Sequence, residues 1–306
     1  MTARAATGIG LIAVLLWSAL APLTVLAGGI PPFQLVAMSF TLGALIGFAY
    51  LAMRPRARRE LGQITLPAAA LGIGGLLGFH FFYFLSLSLA PPLEANLVNY
   101  LWPLLIVLFS ALLPSSGGGL RWHHLAGASM AFAGAVLAIT KGAAIPALLP
   151  SALAGYGVAL ISALTWAAYS VLSRLFAAVP SSAVAIYCTA TALAAALAHL
   201  ALEATAWPLS RAQWLACAGL GLGPVGLAFY VWDYGCKHGD LRVLGASAYF
   251  APLLSTLLLI LFGLAESSPV LWLAALAITG GALLASKDLL LARRKQTETN
   301  PAGVGA

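Results

Sequence analysis

Runs of about twenty apolar residues, each long enough for an α-helix to cross a bilayer, recur along the whole chain. Ten spans are predicted, and the first five run Gly8–Ala27, Phe33–Met53, Leu66–Leu89, Leu93–Leu113 and Trp122–Thr140. The second five run Leu153–Leu175, Ser181–Leu202, Trp214–Gly235, Leu244–Leu264 and Pro269–Leu291. Turn residues punctuate the short connectors, as in Gly28–Pro32 and Pro114–Gly119, and leave no room for an extramembrane domain. The fourth span breaks the apolar pattern. It carries Glu94, Asn96, Asn99, Tyr100 and Trp102, and then Pro103, which leaves the Asn99 carbonyl without its helical donor. Ser247–Pro252 repeats this stretch in the second half, with Tyr249 and Pro252 each 149 residues after Tyr100 and Pro103.

Composition agrees with the pattern. Hydrophobic residues make up 62% of the 306 and charged residues only 8%, against about a quarter charged in soluble domains. The chain therefore reads as an all-α integral membrane protein. A formal charge of +7 could suggest nucleic acid, but the basic residues lie in short loops rather than on one soluble face. With the N-terminus inside, thirteen Lys and Arg fall on the cytoplasmic side and only Lys141 and Arg211 outside. That bias places both termini in the cytoplasm. The first span ends in a signal-peptide-like Val25–Ala27, but its apolar run is too long for one and holds Trp17 and Pro22. Cys188, Cys217 and Cys236 are scattered through apolar spans and suggest neither a disulfide framework nor a metal site.

The two halves repeat. The 149-residue offset carries Trp17 to Trp166, Pro31 to Pro180, Gly72 to Gly221, Tyr100 to Tyr249 and Pro103 to Pro252. An odd number of spans in each unit makes the second copy enter the membrane from the opposite side. The prediction is two inverted five-helix repeats, 1–145 and 146–291, followed by a disordered cytoplasmic tail, 292–306.

Spans two, five, seven and ten are plain Ala, Leu, Gly and Val, suited to small-residue packing or to facing lipid. The other six concentrate the aromatic and polar residues. Candidate substrate-binding residues are Trp17, His80, Tyr83, Asn99, Tyr100, Trp102, Trp166, Tyr169 and Tyr249. Some of these rings also fit the headgroup level, Tyr83 above all. His80, at mid-span, suits either proton coupling or a structural hydrogen bond. His199 reads as structural, while Glu94, Glu203 and Glu266 read as solvated at the outer surface. Pro22, Pro103, Pro224 and Pro252 are candidate hinges that free the carbonyls of Ser18, Asn99, Leu220 and Ala248.

The motifs Gly10–Ser18, Asn99–Pro103 (NYLWP), Thr165–Tyr169 (TWAAY), His238–Gly239 and Ala248–Pro252 (AYFAP), taken in order, resemble the EamA-type branch of the drug/metabolite transporter superfamily. The resemblance runs from Thr7 to Lys287. It implies a ten-helix, two-repeat fold with a cavity lined by helices one, three, four, six, eight and nine. It also implies export of aromatic and other hydrophobic amino acids across the inner membrane of a bacterium. The expected partners are that substrate and membrane lipid, with no cofactor.

The mechanism expected on these grounds is alternating access around a midplane site, with freed carbonyls and Asn99 accepting from a substrate ammonium and the Trp and Tyr rings holding its side chain. No nucleotide-binding motif is present, so a gradient must drive transport. Export of another metabolite or a drug fits the same pattern. An intramembrane enzyme would need converging acid, base or metal groups, and the spans offer only His80, His199 and Asp233 without ligand spacing. A channel would need repeated polar rings. The topology is directly testable. A cysteine placed at Gly118 should react with a membrane-impermeant reagent only in opened cells, and one at Ala147 in intact cells. Reaction of both from outside would remove the inverted arrangement.

Overall fold

Apolar runs become helices, and those helices break where the backbone loses a donor. A computed structural model describes residues 3–112, 122–140, 150–176, 179–180, 182–238, 247–248, 250–285 and 287. Among them there is no strand, so the described fold is all-α. Helix α1 (Ala3–Ser18) stops at Ala19 and resumes as α2 (Leu20–Leu26). Pro22 cannot bond the Ser18 carbonyl, and the Ala19 amide turns back to Leu16 O at 3.0 Å. The predicted second span is α3 (Pro32–Met53), followed by a short basic helix, α4 (Pro55–Glu60). Arg58 of α4 donates to the Leu51 and Ala52 carbonyls, placing a cation at the negative end of α3.

The third span is one helix, α5 (Leu66–Leu89), whereas the fourth is split into α6 (Pro92–Asn99) and α7 (Trp102–Leu112). Then come α8 (Trp122–Thr140), α9 (Pro150–Leu172) and α10 (Ala183–Leu202). The eighth predicted span is α11 (Arg211–Leu222), started by a Ser210–Gln213 capping box, and α12 (Ala228–His238). Between them Gly223–Leu227 forms a π turn around Pro224. Two shorter apolar helices follow, α13 (Ala251–Leu261) and α14 (Pro269–Ala285). Among the described residues, six segments are long and apolar enough to cross a membrane: Arg4–Leu26, Pro32–Met53, Leu66–Leu89, Ala152–Leu172, Ala183–Leu202 and Arg211–Trp232.

Four helix pairs dominate the packing: α1 with α12, α5 with α9, α3 with α10, and α8 with α14. Glycines allow the approach, as expected where lipid supplies no hydrophobic drive between helices. The α8–α14 contact is reciprocal. A Cβ on Gly127 would strike the Gly281 carbonyl and Ala285, and one on Gly281 would strike the Gly127 carbonyl and Ala131. Between α5 and its neighbours, Gly72 lies beneath the Tyr187 ring and Gly75 beneath Tyr169.

Two acidic residues are not the solvated surface groups expected. Glu94 is 3% exposed in the first turn of α6, the end of a helix that favours a negative charge. Glu203, just past α10, accepts from the Phe33 and Gln34 amides at the start of α3, at 3.0 and 3.1 Å. His199 holds the same carboxylate through Nδ1 at 2.9 Å, and its Nε2 meets Thr205 Oγ1 at 2.9 Å. Gln34 and the Ala206 backbone exchange two further hydrogen bonds. This clamp closes one end of the α3–α10 pair, and a carboxylate accepting from orphan helix amides is worth about 1.5–3 kcal/mol. Glu203→Ala should therefore lower the unfolding temperature in detergent clearly more than Glu266→Ala, whose carboxylate is exposed. Equal small effects would show that the clamp does not hold the pair.

Candidate functional site

Helix breaks and aromatic packing meet in one cavity. Its wall is Trp17 of α1, Leu20 of α2, Phe79, His80 and Tyr83 of α5, Asn96 and Asn99 of α6, Tyr100, Trp102 of α7, Trp166 of α9 and Phe229 of α12. Trp166 is the hub. Its ring lies 6.3 Å from Trp17 and 6.5 Å from Trp102, both edge to face, 5.0 Å from Phe79 and 5.8 Å from Phe229. Such pairs are worth about 0.5–1.5 kcal/mol each beyond burial. Together they bind the wall into one unit. The cavity measures about 30 Å³, room for about two waters. A substrate with a ring therefore enters only when these side chains part.

Behind the rings lies a polar chain. Tyr83 donates its hydroxyl to Asn96 Oδ1 at 2.8 Å, and Asn96 Nδ2 donates to Ser255 Oγ of α13 at 2.9 Å. Asn96 is thereby occupied in tying α5, α6 and α13 together. Asn99, one turn on, is different. It is 2% exposed and lines the cavity, and its Oδ1 has no hydrogen-bond partner. The chain between α6 and α7 is held by Tyr100 N to Asn96 O and by Leu101 N to Val98 O, at 3.0 and 3.1 Å.

His80 Nδ1 donates to Leu76 O of its own helix at 2.9 Å. Its ring is enclosed by Phe40, Phe79, Phe84 and Phe229, with centroids 4.8 to 6.0 Å away. Among the described residues, no Lys, Arg, Asp or Glu side chain lines the cavity. What the site offers is π faces, neutral hydrogen-bonding groups and helix ends.

Seven of the predicted site residues converge on this cavity: Trp17, His80, Tyr83, Asn99, Tyr100, Trp102 and Trp166. Tyr169 does not line it. Its ring sits 5.2 Å from Trp166 and over Gly75, in the α5–α9 contact. Tyr249 lies outside the described residues. Pro22 is in α2, Pro103 is the second residue of α7, Pro224 is in the π turn and Pro252 is the second residue of α13. Leu20, Phe79, Asn96 and Phe229 were not expected. Asn96 stood in the polar stretch of the fourth span. Phe229 falls 149 residues after His80, a signal that could have placed it opposite that residue.

The model of the EamA-like transporter family matches the chain twice, over residues 5–140 and 153–287. A protein of Ancylobacter novellus named aromatic amino acid exporter YddG is 50% identical over 96% of this chain and 100% of its own length. Proteins of the same name from Salmonella typhimurium and Escherichia coli are 28% and 27% identical, each over 93% of this chain and 97% of their own. A solved structure titled only as the crystal structure of a protein is similar with a TM-score of 0.74 and 49% identity, covering 94% of this chain and 99% of its own.

The polar chain behind the rings can be tested separately from transport. Tyr83→Phe leaves a buried Asn96 oxygen unsatisfied and should cost about 1–3 kcal/mol of stability. The Tyr83→Phe/Asn96→Leu pair should cost less than the two single changes added together. Strict additivity in thermal unfolding would mean that the Tyr83–Asn96 bond does not couple α5 to α6.

Proposed function

The chain belongs to the EamA-like transporter family, and we propose that it exports aromatic and other hydrophobic amino acids from a bacterial cytoplasm across the inner membrane. The observation that carries this reading is a cavity walled by Trp17, Trp102 and Trp166, in a chain half identical, end to end, to a protein named an aromatic amino acid exporter. Three indoles and two phenylalanines present faces and edges to an aromatic side chain. An ammonium is attracted to the same π faces. Because no charged side chain among the described residues lines the wall, the net-neutral zwitterion is the form of an amino acid that suits it.

The transport cycle in this reading is alternating access by ten membrane spans in two inverted repeats, 1–145 and 146–291, with both termini and the 292–306 tail in the cytoplasm. Three observations support it. The family model matches each half separately. The packing maps onto itself when the halves are exchanged: α1–α12 becomes α9–α5, while α3–α10 and α8–α14 are each their own counterpart. The Gly127–Gly281 contact is reciprocal as well. Pro22, Pro103, Pro224 and Pro252 break the helices; segments turn about Pro103 and Pro252, which the two halves share, while Pro22 and Pro224 shape the helices they interrupt. The energy comes from a gradient of the substrate or of a coupled ion.

Trp17 and Trp166 are 149 residues apart and touch in the cavity. Each Trp→Ala change should weaken counterflow of tryptophan or phenylalanine in proteoliposomes several-fold to about tenfold more than that of a small amino acid, since an aromatic contact is worth about 0.5–1.5 kcal/mol and tenfold is about 1.4. Uniform loss for every substrate, together with reduced thermal stability, would show that the rings only pack the halves.

A further inference from the structure

We infer that the break between α6 and α7 is a head-group subsite that reads the zwitterion of a free α-amino acid, with the ammonium at Asn99 and the carboxylate at the first turn of α7. The inference rests on the amino-acid reading above and goes further by assigning the two charges of the substrate to two ends of one broken helix.

Several polar groups around the cavity already have partners. The Tyr83 hydroxyl, both ends of the Asn96 amide and His80 Nδ1 are all hydrogen-bonded. Asn99 Oδ1 is not, although the residue is 2% exposed, and a buried amide oxygen without a donor is costly. The Asn99 backbone carbonyl has also lost its usual helical donor, because residue 103 is proline. Two acceptors on one residue, at the C-terminal and negative end of α6, favour a cationic group carrying several N–H donors. A primary ammonium is that group.

The complementary charge is met next door. Helix α7 has eleven residues, and its first turn begins at the cavity-lining Trp102. Its N-terminal end is positive, with amide donors that the helix itself does not use. Only Tyr100 and Leu101 separate the two helices, so the negative end of one and the positive end of the other lie side by side. An α-amino acid carries its ammonium and carboxylate on a single carbon, at the same close spacing. With no Lys or Arg among the described lining residues, the positive helix end offers a carboxylate its charge complement. The aromatic hub then receives the side chain.

The test uses full-length protein in proteoliposomes and three probes that share an indole: L-tryptophan, tryptamine without the carboxylate, and indole-3-propionate without the ammonium. In the wild type each truncated probe should compete with labelled tryptophan about tenfold or more less well than tryptophan itself. Asn99→Leu should weaken tryptophan and tryptamine by about tenfold and leave indole-3-propionate unchanged. Asn99→Asp should recover tryptamine selectively. Thermal unfolding of each variant, compared with the wild type, separates binding from folding. Equal competition by all three probes in the wild type, or an equal loss of all three in Asn99→Leu, would overturn the subsite while leaving an aromatic transporter standing. If no probe, tryptophan included, engages the wild type, the amino-acid reading itself falls and this inference with it.

Discussion

In hydrocarbon a backbone amide or carbonyl has no water to turn to, so each interruption of a helix must be covered by protein or must face a cavity. The positions of the breaks follow from this constraint. At Ala19 the strand of helix turns tightly, and the Ser18 hydroxyl bonds back to Val14 O. At Gly223–Leu227 the π turn absorbs the missing donor of Pro224, and Gly226 lets the Gly221 carbonyl come closer than a side chain would permit. At Tyr100–Leu101 the break borders the aromatic cavity, and the Asn99 Oδ1 that lines it has no hydrogen-bond partner. That free acceptor separates this bend, which can hold a ligand, from bends that only shape a helix.

Around this opening the protein divides its work between small and large residues. Glycine contacts bring α8 against α14 closely enough that backbone atoms meet, and on α5 they make room for the Tyr169 and Tyr187 rings. Other large rings gather where α1, α5, α7, α9 and α12 converge. Trp166 reaches this point on α9, a helix held against α5 in part by Ser162, which donates to the Phe79 carbonyl at 2.9 Å. The result is a rigid outer frame with a centre held by ring contacts, each weak enough to be exchanged for a substrate ring of similar shape.

Much of this was legible along the chain. The α5 boundaries coincide with the predicted span, because apolar length and flanking turn residues leave little freedom. Trp17 and Trp166 could be paired by their offset alone. What could not be read were contacts between residues far apart in sequence. Nothing local to Glu203 shows that it caps a helix 170 residues earlier, and in isolation a Glu after a span looks solvated. Phe79 and Phe229 carry no polar signal and look the same as rings facing lipid. Tyr169 had the right type and depth, but Gly75 opposite it makes room for its ring in a helix contact instead. Asn96 and Asn99 are chemically identical and three residues apart. Only their partners distinguish a structural amide from an open one.

The two halves also differ in a way that bears on how such a protein could move. Pro22 corresponds to Val171 and Pro224 to Gly75, residues that keep their backbone N–H, and α9 and α5 run unbroken through those positions. Pro103 corresponds to Pro252, and each stands second in its helix, α7 or α13. If transport exchanges the shapes of the halves, the breaks at Ala19 and Pro224 cannot be part of the exchange, because their counterparts lack the chemistry that makes them. The shared Pro103 and Pro252 breaks can. Ser255, four residues into the second of these helices, is bonded to Asn96, just before the first. A turn at either proline would therefore pull on the same polar chain that flanks Asn99, so that opening the cavity and presenting its free acceptor would be a single event.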